Sequence, residues 1–333
     1  MNRNSKKLGI YIGIVSVIAI AATAFRTIAL LADYDISTAY FNNPLLVTIS
    51  GAIIVAAVLL SIVLAFTLEC VSLKANFSSP LTYIPVGALA MTIVSVFIYL
   101  IRSADIGTTL FKGMVSVSIV LSIVTALLAL VAIGHLFLTT LVTKSQTTLR
   151  AYFAIGSIAF LAAFASLMYF DESLALNAHT KIVDQMAMLF AAIFLLYEAR
   201  ISLGREMWRA YAAFGLVALA VTSYAAIPNL IVYFARGVAI SLSLEISVFL
   251  LALSIFIFSR LILMTRLDEA GERGELVAMR EYADKRQSGL ELGEAETSDD
   301  DIQISINDLF GEELDTLPAS DAEQGEASEE TEE

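Results

Sequence analysis

The chain has 333 residues, 58% of them hydrophobic, and a formal net charge of −13. Soluble domains are usually about 45–50% apolar, so this composition excludes an ordinary soluble protein and indicates a membrane protein. The single cysteine and the two histidines exclude an internal disulfide, a cysteine-based zinc site and an HExxH site, so no metal is predicted.

Long apolar blocks, rather than amphipathic stripes, hold most of the hydrophobic residues. A helix needs roughly 20 apolar residues to cross a hydrocarbon core about 30 Å thick, and its backbone polar groups must be paired within the segment. The predicted fold class is therefore all-α integral membrane: a bundle of eight transmembrane helices with short loops and a disordered acidic C-terminal tail. The predicted spans are 8–32, 45–67, 81–101, 113–139, 151–170, 182–201, 210–233 and 244–265.

The first span leaves an alternative open, a cleaved signal peptide. Basic residues at its start and an Ala22–Thr23–Ala24 site fit that pattern for residues 1–24. Apolar sequence continues through Ile28 to Leu31, however, and this favours a retained helix. Cleavage would leave seven spans and the same topology for the rest of the chain.

Lysine and arginine in the short connections predict orientation, because cytoplasmic loops are enriched in them. With a cytoplasmic N-terminus most of these residues fall on the inner side, so both chain ends are predicted to be cytoplasmic. The predicted outer loops hold no Asn-x-Ser/Thr triplet, which fits the plasma membrane of a bacterium. The inner cations are Arg3, Lys6, Lys7, Lys74, Lys144, Arg150, Arg200, Arg205, Arg209, Arg260 and Arg266, and the outer ones are Arg102, Lys112, Lys181 and Arg236.

The predicted domains differ sharply in charge. Residues 1–267 hold 16 Lys/Arg against 10 Asp/Glu, whereas residues 268–333 hold 4 against 23. The transmembrane domain is placed at 1–266, and mixed charges at 267–286 predict a cytoplasmic helical extension. Residues 287–333 contain no basic residue and few aromatics, which predicts a disordered tail. Such a tail would repel phosphates, so nucleic acid is not a predicted partner.

One apolar island, DIQISINDLFGEELDTL at 301–317, interrupts the tail. It is too short to fold alone and is typical of a segment that orders on a cytosolic protein partner. The alternative is an ordinary disordered tail with incidental hydrophobic residues. The candidate docking residues are Ile302, Ile304, Ile306, Leu309 and Phe310.

Ionisable groups inside spans are costly unless paired or hydrated, so they mark candidate sites. Arg26 and Asp184 lie at similar depth near the outer side, and Pro228 should leave a helix carbonyl without its donor. These residues predict an outward-facing polar pocket in which Arg26 binds a small anionic ligand. In the alternative, Arg26 snorkels outward and Asp184 is merely interfacial. The candidate pocket residues are Arg26, Asp184, Gln185, Tyr224, Asn229 and Glu245.

A second candidate set, Glu69, His135 and Glu198, lies near three helix ends on the inner side. Such a set suits a proton relay, although interfacial positions would explain these residues without any function. The predicted spans hold no acid or base at their midplanes, and this absence counts against an ion-coupled carrier.

The chain lacks GxSxG, P-loop and GxGxxG motifs, so neither an enzyme nor a cofactor is predicted. The favoured function is a non-enzymatic sensor or scaffold that sits in the lipid bilayer and recruits a cytosolic protein through its acidic tail. The alternative is a small-solute transporter or channel that uses the outer pocket. A membrane enzyme acting on lipid or peptide bonds has only Glu69, His135 and Glu198 in its support.

Overall fold

This computed structural model describes residues 3–68, 80–103, 117–141, 148–171, 174–175, 177–203 and 207–265, and these residues contain eight helices. Each helix begins and ends within a few residues of a predicted span, so the helical character of all eight blocks is confirmed. The bounds are α1 Arg3–Ala32, α2 Leu45–Phe66, α3 Pro80–Ser103, α4 Val117–Leu141, α5 Thr148–Phe170, α6 His179–Ser202, α7 Trp208–Arg236 and α8 Leu244–Thr265.

Among the described residues, seven helices are long and apolar enough to cross a membrane. The exception is α3, whose apolar segment, Leu81–Phe97, is shorter. This composition is that of a multi-pass membrane protein. The predicted extension at 267–286, the tail at 287–333 and the docking segment at 301–317 lie outside the described residues, which all belong to one compact unit, Met1–Met279.

The centre of the bundle is α7. In its most apolar stretch 78% of the residues are buried, compared with 72% in α8 and 28% in α2. This helix packs against α1, α2, α6 and α8, whereas α3 packs against α4 and α8. Small residues permit the close approaches, since a Cβ on Gly215 of α7 would lie 2.7 Å from Leu261 Cδ2 of α8.

Three connections meet at one end of the bundle and cover it. The first contains an antiparallel hairpin of β1 Tyr34–Asp35 and β2 Tyr40–Phe41, and the Tyr40 hydroxyl donates to Asn177 Oδ1 at 2.5 Å. The hydrophobic cluster that joins the connections contains Leu30, Tyr34, Ala39, Ala178, Val232 and Ile240. We call residues 33–43, 177–178 and 237–243 the cap, and the opposite end of the bundle the base.

Basic side chains cover the carbonyl ends of helices at both ends of the bundle. At the base, Arg209 Nε donates to the Leu68 carbonyl at 2.6 Å and Lys7 Nζ to that of Thr67 at 3.4 Å, just after α2. At the cap end, Lys181 Nζ donates to a carbonyl after α5 at 2.6 Å. A cation is favourable there because the last carbonyls of a helix lack helical partners and carry partial negative charge.

Candidate functional site

A polar cluster beneath the cap begins with Arg26, which lies on α1 and is fully buried. Its Nη1 donates a hydrogen bond to the main-chain carbonyl of Tyr224 on α7, and its Cζ lies 4.7 Å from the centre of the Tyr224 ring. In a regular helix that carbonyl accepts from the N–H four residues later, which belongs to Pro228 and does not exist. Pro228 therefore creates the acceptor that Arg26 occupies.

Two other nitrogens of Arg26, Nε and Nη2, are buried and have no hydrogen-bond partner in the described part of the chain. Their N–H groups lie in the guanidinium plane along one edge and form the fork that binds a carboxylate through two parallel hydrogen bonds. A buried cation with unused donors is costly. The fork is therefore the feature of this cluster that most directly indicates a ligand.

Asp184, on α6, is the buried anion of the same cluster. The Ser241 hydroxyl of the cap donates to its Oδ2 at 2.5 Å, and the Asn229 amide of α7 donates to its Oδ1 at 3.3 Å. Asn229 Oδ1 has no partner among the described residues. The carboxylate is thus held by neutral donors from two elements, with a free amide oxygen beside it.

Arg26 and Asp184 lie close enough for each charge to act on the other. In the described residues, however, neither an ion pair nor a hydrogen bond joins them, because each side chain binds neutral groups instead. Opposite charges that share a dry site gain strongly from contact. Because Arg26 and Asp184 are not paired with each other, each charge can still bind a ligand group of opposite charge.

The cap closes this cluster from solvent. Thr180 Oγ1 donates to the Ile240 carbonyl at 3.2 Å, and the ring of His179 makes an edge contact with Phe41 at 5.4 Å between centroids. Burial raises the pKa of the Tyr34 phenol above its ordinary value. Ligand entry would require the cap to move.

The structure brings together four of the six candidates for the outer pocket, namely Arg26, Asp184, Tyr224 and Asn229. The Tyr224 hydroxyl shares a hydrogen bond of 2.9 Å with Ser50 of α2, which ties a further helix to the cluster. Gln185 turns away, since its Nε2 donates to the Ala165 carbonyl of α5 at 3.2 Å. Glu245 is half-buried in the first turn of α8 and makes no described contact with Arg26 or Asp184.

The interpretation of Arg26 as a snorkelling residue, and of Asp184 as an interfacial one, is wrong. Both side chains are 0% exposed. Arg26 turns inward because α7 offers it a carbonyl without a helical donor, a feature that the sequence of α1 alone does not reveal.

A second buried cluster lies towards the base. Glu198 Oε1, on α6, pairs with Arg150 Nη2 of α5 at 3.3 Å and with Arg260 Nη2 of α8 at 3.2 Å, and all three side chains are 0% exposed. Nearby on α4, His135 Nδ1 lies 3.0 Å from Ser157 Oγ of α5. This cluster links four helices.

The interfacial reading of the inner candidates is wrong for Glu198 and His135, which are both buried, while Glu69 lies outside the described residues. Arg150 and Arg260 are likewise not loop cations at the membrane surface. Both lie inside the bundle because each pairs with the carboxylate of Glu198, which is distant in sequence. They therefore no longer count towards the charge bias that predicts orientation.

Sequence reasoning missed Ser241, Arg150 and Arg260 as members of buried clusters. Arg260 falls inside a predicted span, and the rule that flagged Glu198 should have flagged it too. Arg150 stands one residue before its predicted span and reads as a loop residue. Ser241 lies in a short connection, where no local pattern indicates a carboxylate partner.

Taken together, the helices define a multi-pass membrane protein with two buried polar clusters. Comparison with protein-family models, with curated proteins and with solved structures finds no match for this chain. In the described residues no group of three or more His, Cys, Asp or Glu side chains is placed to hold a metal ion. Function must therefore be inferred from the clusters themselves.

Proposed function

We propose that this protein is a non-enzymatic sensor of the bacterial plasma membrane that binds a small anionic solute beneath its cap. The observation that carries the proposal is the unused Nε and Nη2 fork of Arg26, which is buried beneath the cap. A carboxylate is the ligand class that best matches such a fork. The acidic tail then recruits a cytosolic protein through residues 301–317.

Chain continuity supports eight crossings. The end of α2 lies at the base, where Leu68 contacts Arg209. The end of α3 lies at the cap end, where the Tyr99 hydroxyl donates to Asp171 Oδ2 at 3.1 Å. Leu68 and Tyr99 thus lie at opposite ends of the bundle, which supports a crossing by α3 although its apolar segment is short.

Cations at the base support a cytoplasmic location for that end and for both termini. After the removal of Arg150 and Arg260 from the count, Lys6, Lys7, Arg200 and Arg209 remain near the base, and Arg3, Lys74, Lys144, Arg205 and Arg266 add to them by sequence. The cap then faces outward. The ligand site then lies on the extracellular side, beneath the cap, and the tail reaches the cytosol.

The position of the cluster suits a sensor, because it joins elements that a ligand could shift. Arg26 belongs to α1, Asp184 to α6 and Asn229 to α7, while Ser241 belongs to the cap. A ligand that binds these groups in one arrangement more tightly than in another will shift the population of the two arrangements. A cytosolic protein at the base can detect such a shift.

Ligand binding by the full-length protein in lipid nanodiscs tests the proposal. Acetate, lactate and succinate serve as probes, with melting temperature and calorimetry as readouts. We expect at least one carboxylate to bind the wild type, an Arg26→Lys variant to bind more weakly because lysine lacks the fork, and Arg26→Gln not to bind. Arg236→Gln is the matched control, since Arg236 lies at the same end and donates to the Leu31 carbonyl. Equal binding by Arg26→Gln would refute the site.

Recruitment through the tail needs its own test. Full-length protein purified from its host membrane should retain a specific cytosolic protein that an Ile304→Asp/Phe310→Asp variant loses, because a charge replaces the apolar contact. An Ala319→Asp variant, outside the apolar island, is the control. Retention of the same protein by the Ile304→Asp/Phe310→Asp variant would contradict the docking role.

A small-solute transporter is the second candidate, favoured by the buried clusters that α6 carries near both of its ends, at Asp184 and at Glu198. Uptake of a bound carboxylate into proteoliposomes would support transport. Binding without uptake would support the sensor. Arg26→Gln should abolish either activity.

A further inference from the structure

We propose that the solute bound beneath the cap is a small zwitterion, as an α-amino acid is, with its carboxylate on the Arg26 fork and its ammonium at Asp184 and Asn229. The proposal rests on the proposed ligand site and narrows its ligand class.

The cluster offers one buried cation and one buried anion that are not paired with each other. A ligand with only a carboxylate would satisfy Arg26 but would place a second negative charge near Asp184. A ligand with only an ammonium would satisfy Asp184 and leave the Arg26 fork empty. A zwitterion serves both charges and adds no net charge to a site shielded from water.

The donors and acceptors that remain unused match the two ends of such a ligand. Arg26 presents two donors, Nε and Nη2, and a carboxylate accepts two parallel hydrogen bonds. Near Asp184 the unpartnered group is an acceptor, Asn229 Oδ1, and an ammonium has three donors and no acceptor. The hydrogen bond that Asp184 Oδ1 accepts is long, at 3.3 Å, so this oxygen also keeps acceptor capacity.

The same features exclude other ligand classes. A dianion such as succinate would bring an unpaired carboxylate to the side of the cluster that Asp184 occupies. A neutral sugar would leave both buried charges without an opposite charge. Selectivity therefore comes from the pair of charges, whereas Arg26 alone would accept any small carboxylate.

The test uses full-length protein in lipid nanodiscs and matched fragments of three amino acids. Alanine, leucine and phenylalanine are each compared with the acid that lacks the amino group and the amine that lacks the carboxylate, by calorimetry. We expect at least one amino acid to bind, and its acid and amine fragments to bind about 10-fold more weakly or worse, because each loses a charge-assisted contact.

Variants separate the two proposals. Asp184→Asn should weaken amino-acid binding about 10-fold or more and strengthen binding of the acid fragment, because the repulsion is removed. Arg26→Gln should abolish both. If the acid fragment binds the wild type as tightly as the amino acid does, the zwitterion proposal fails and the anionic-solute function stands. If neither binds, both fail. The fragment comparison needs no variant, so it decides the matter even if Asp184→Asn does not fold.

Discussion

Arg26 of α1 donates a hydrogen bond to the main-chain carbonyl of Tyr224 in α7, the carbonyl that Pro228 leaves without a helical donor. A side chain from one helix thus replaces a backbone hydrogen bond that another helix cannot make. Such a replacement is needed in a membrane, where an unpaired carbonyl finds no water. It also gives one of the buried Arg26 nitrogens a hydrogen-bond partner.

This relationship predicts coupling between Arg26 and Pro228. Arg26→Met should lower the free energy of unfolding by about 1–3 kcal/mol, because the Tyr224 carbonyl loses its donor. Pro228→Ala restores a helical N–H, so it should stabilise the Arg26→Met protein more than the wild type. Thermal unfolding of the four proteins in one detergent measures the coupling. Additive effects of the two substitutions would show that the Tyr224 carbonyl does not couple Arg26 to Pro228.

The base cluster predicts an order of stability among its variants. Glu198→Gln should destabilise the protein by about 3–5 kcal/mol, because two buried guanidinium groups lose their shared carboxylate. Arg150→Met or Arg260→Met should cost less, since each leaves a one-to-one pair with Glu198. Melting temperatures in lipid nanodiscs test the order. A larger loss from either arginine variant would contradict this account of the cluster.

The contact between α4 and α5 predicts different outcomes for two glycines. A Cβ on Gly156 would lie 3.2 Å from Val131 Cβ and closer still to Val131 Cγ1, whereas one on Gly51 meets nothing within 4 Å. Gly156→Ala should therefore destabilise the protein by about 1–3 kcal/mol through overpacking. Gly51→Ala should be neutral or stabilising by up to about 1 kcal/mol, because alanine favours helix. Equal melting temperatures for the two variants would mean that α4 and α5 can separate without cost.

The proposed orientation predicts opposite labelling of two engineered cysteines in a Cys70→Ser background. Ile36, in the cap, is 41% exposed, and Leu203, after α6 at the base, is 51% exposed. A membrane-impermeant maleimide should label Ile36→Cys in intact cells and Leu203→Cys only after the cells are opened. The reverse pattern would place the cap in the cytosol and remove the extracellular ligand from consideration.

Sequence reasoning placed both Arg26 and Arg150 near the ends of apolar blocks, and it treated them differently. Arg26 stood six residues inside its span and was recognised as a candidate, whereas Arg150 stood one residue outside and was taken as a surface cation. The structure buries both. Distance from the end of an apolar block does not decide burial, because a long side chain can point towards water or towards a neighbouring helix.

Glu198 illustrates the same limit. Its chemistry was noticed from the sequence, but its partners, Arg150 and Arg260, are 48 and 62 positions away in the chain. Gln185 shows the converse, because it neighbours Asp184 in sequence and binds a different helix. Consecutive residues of a helix place their side chains on different faces of the helix, so neighbours in sequence need not share a site.

The sequence by itself determined that eight apolar blocks are helical and placed their ends to within a few residues, because a segment that crosses a bilayer needs a fixed length of apolar residues whose backbone is paired within the segment. Only the tertiary structure decided which faces of α1, α6 and α7 meet, and thereby that Arg26 and Asp184 share a site without pairing. Lateral packing in lipid depends on the fit of small residues and on a few polar contacts. Those choices are made between segments far apart in the chain, where local composition carries no information about them.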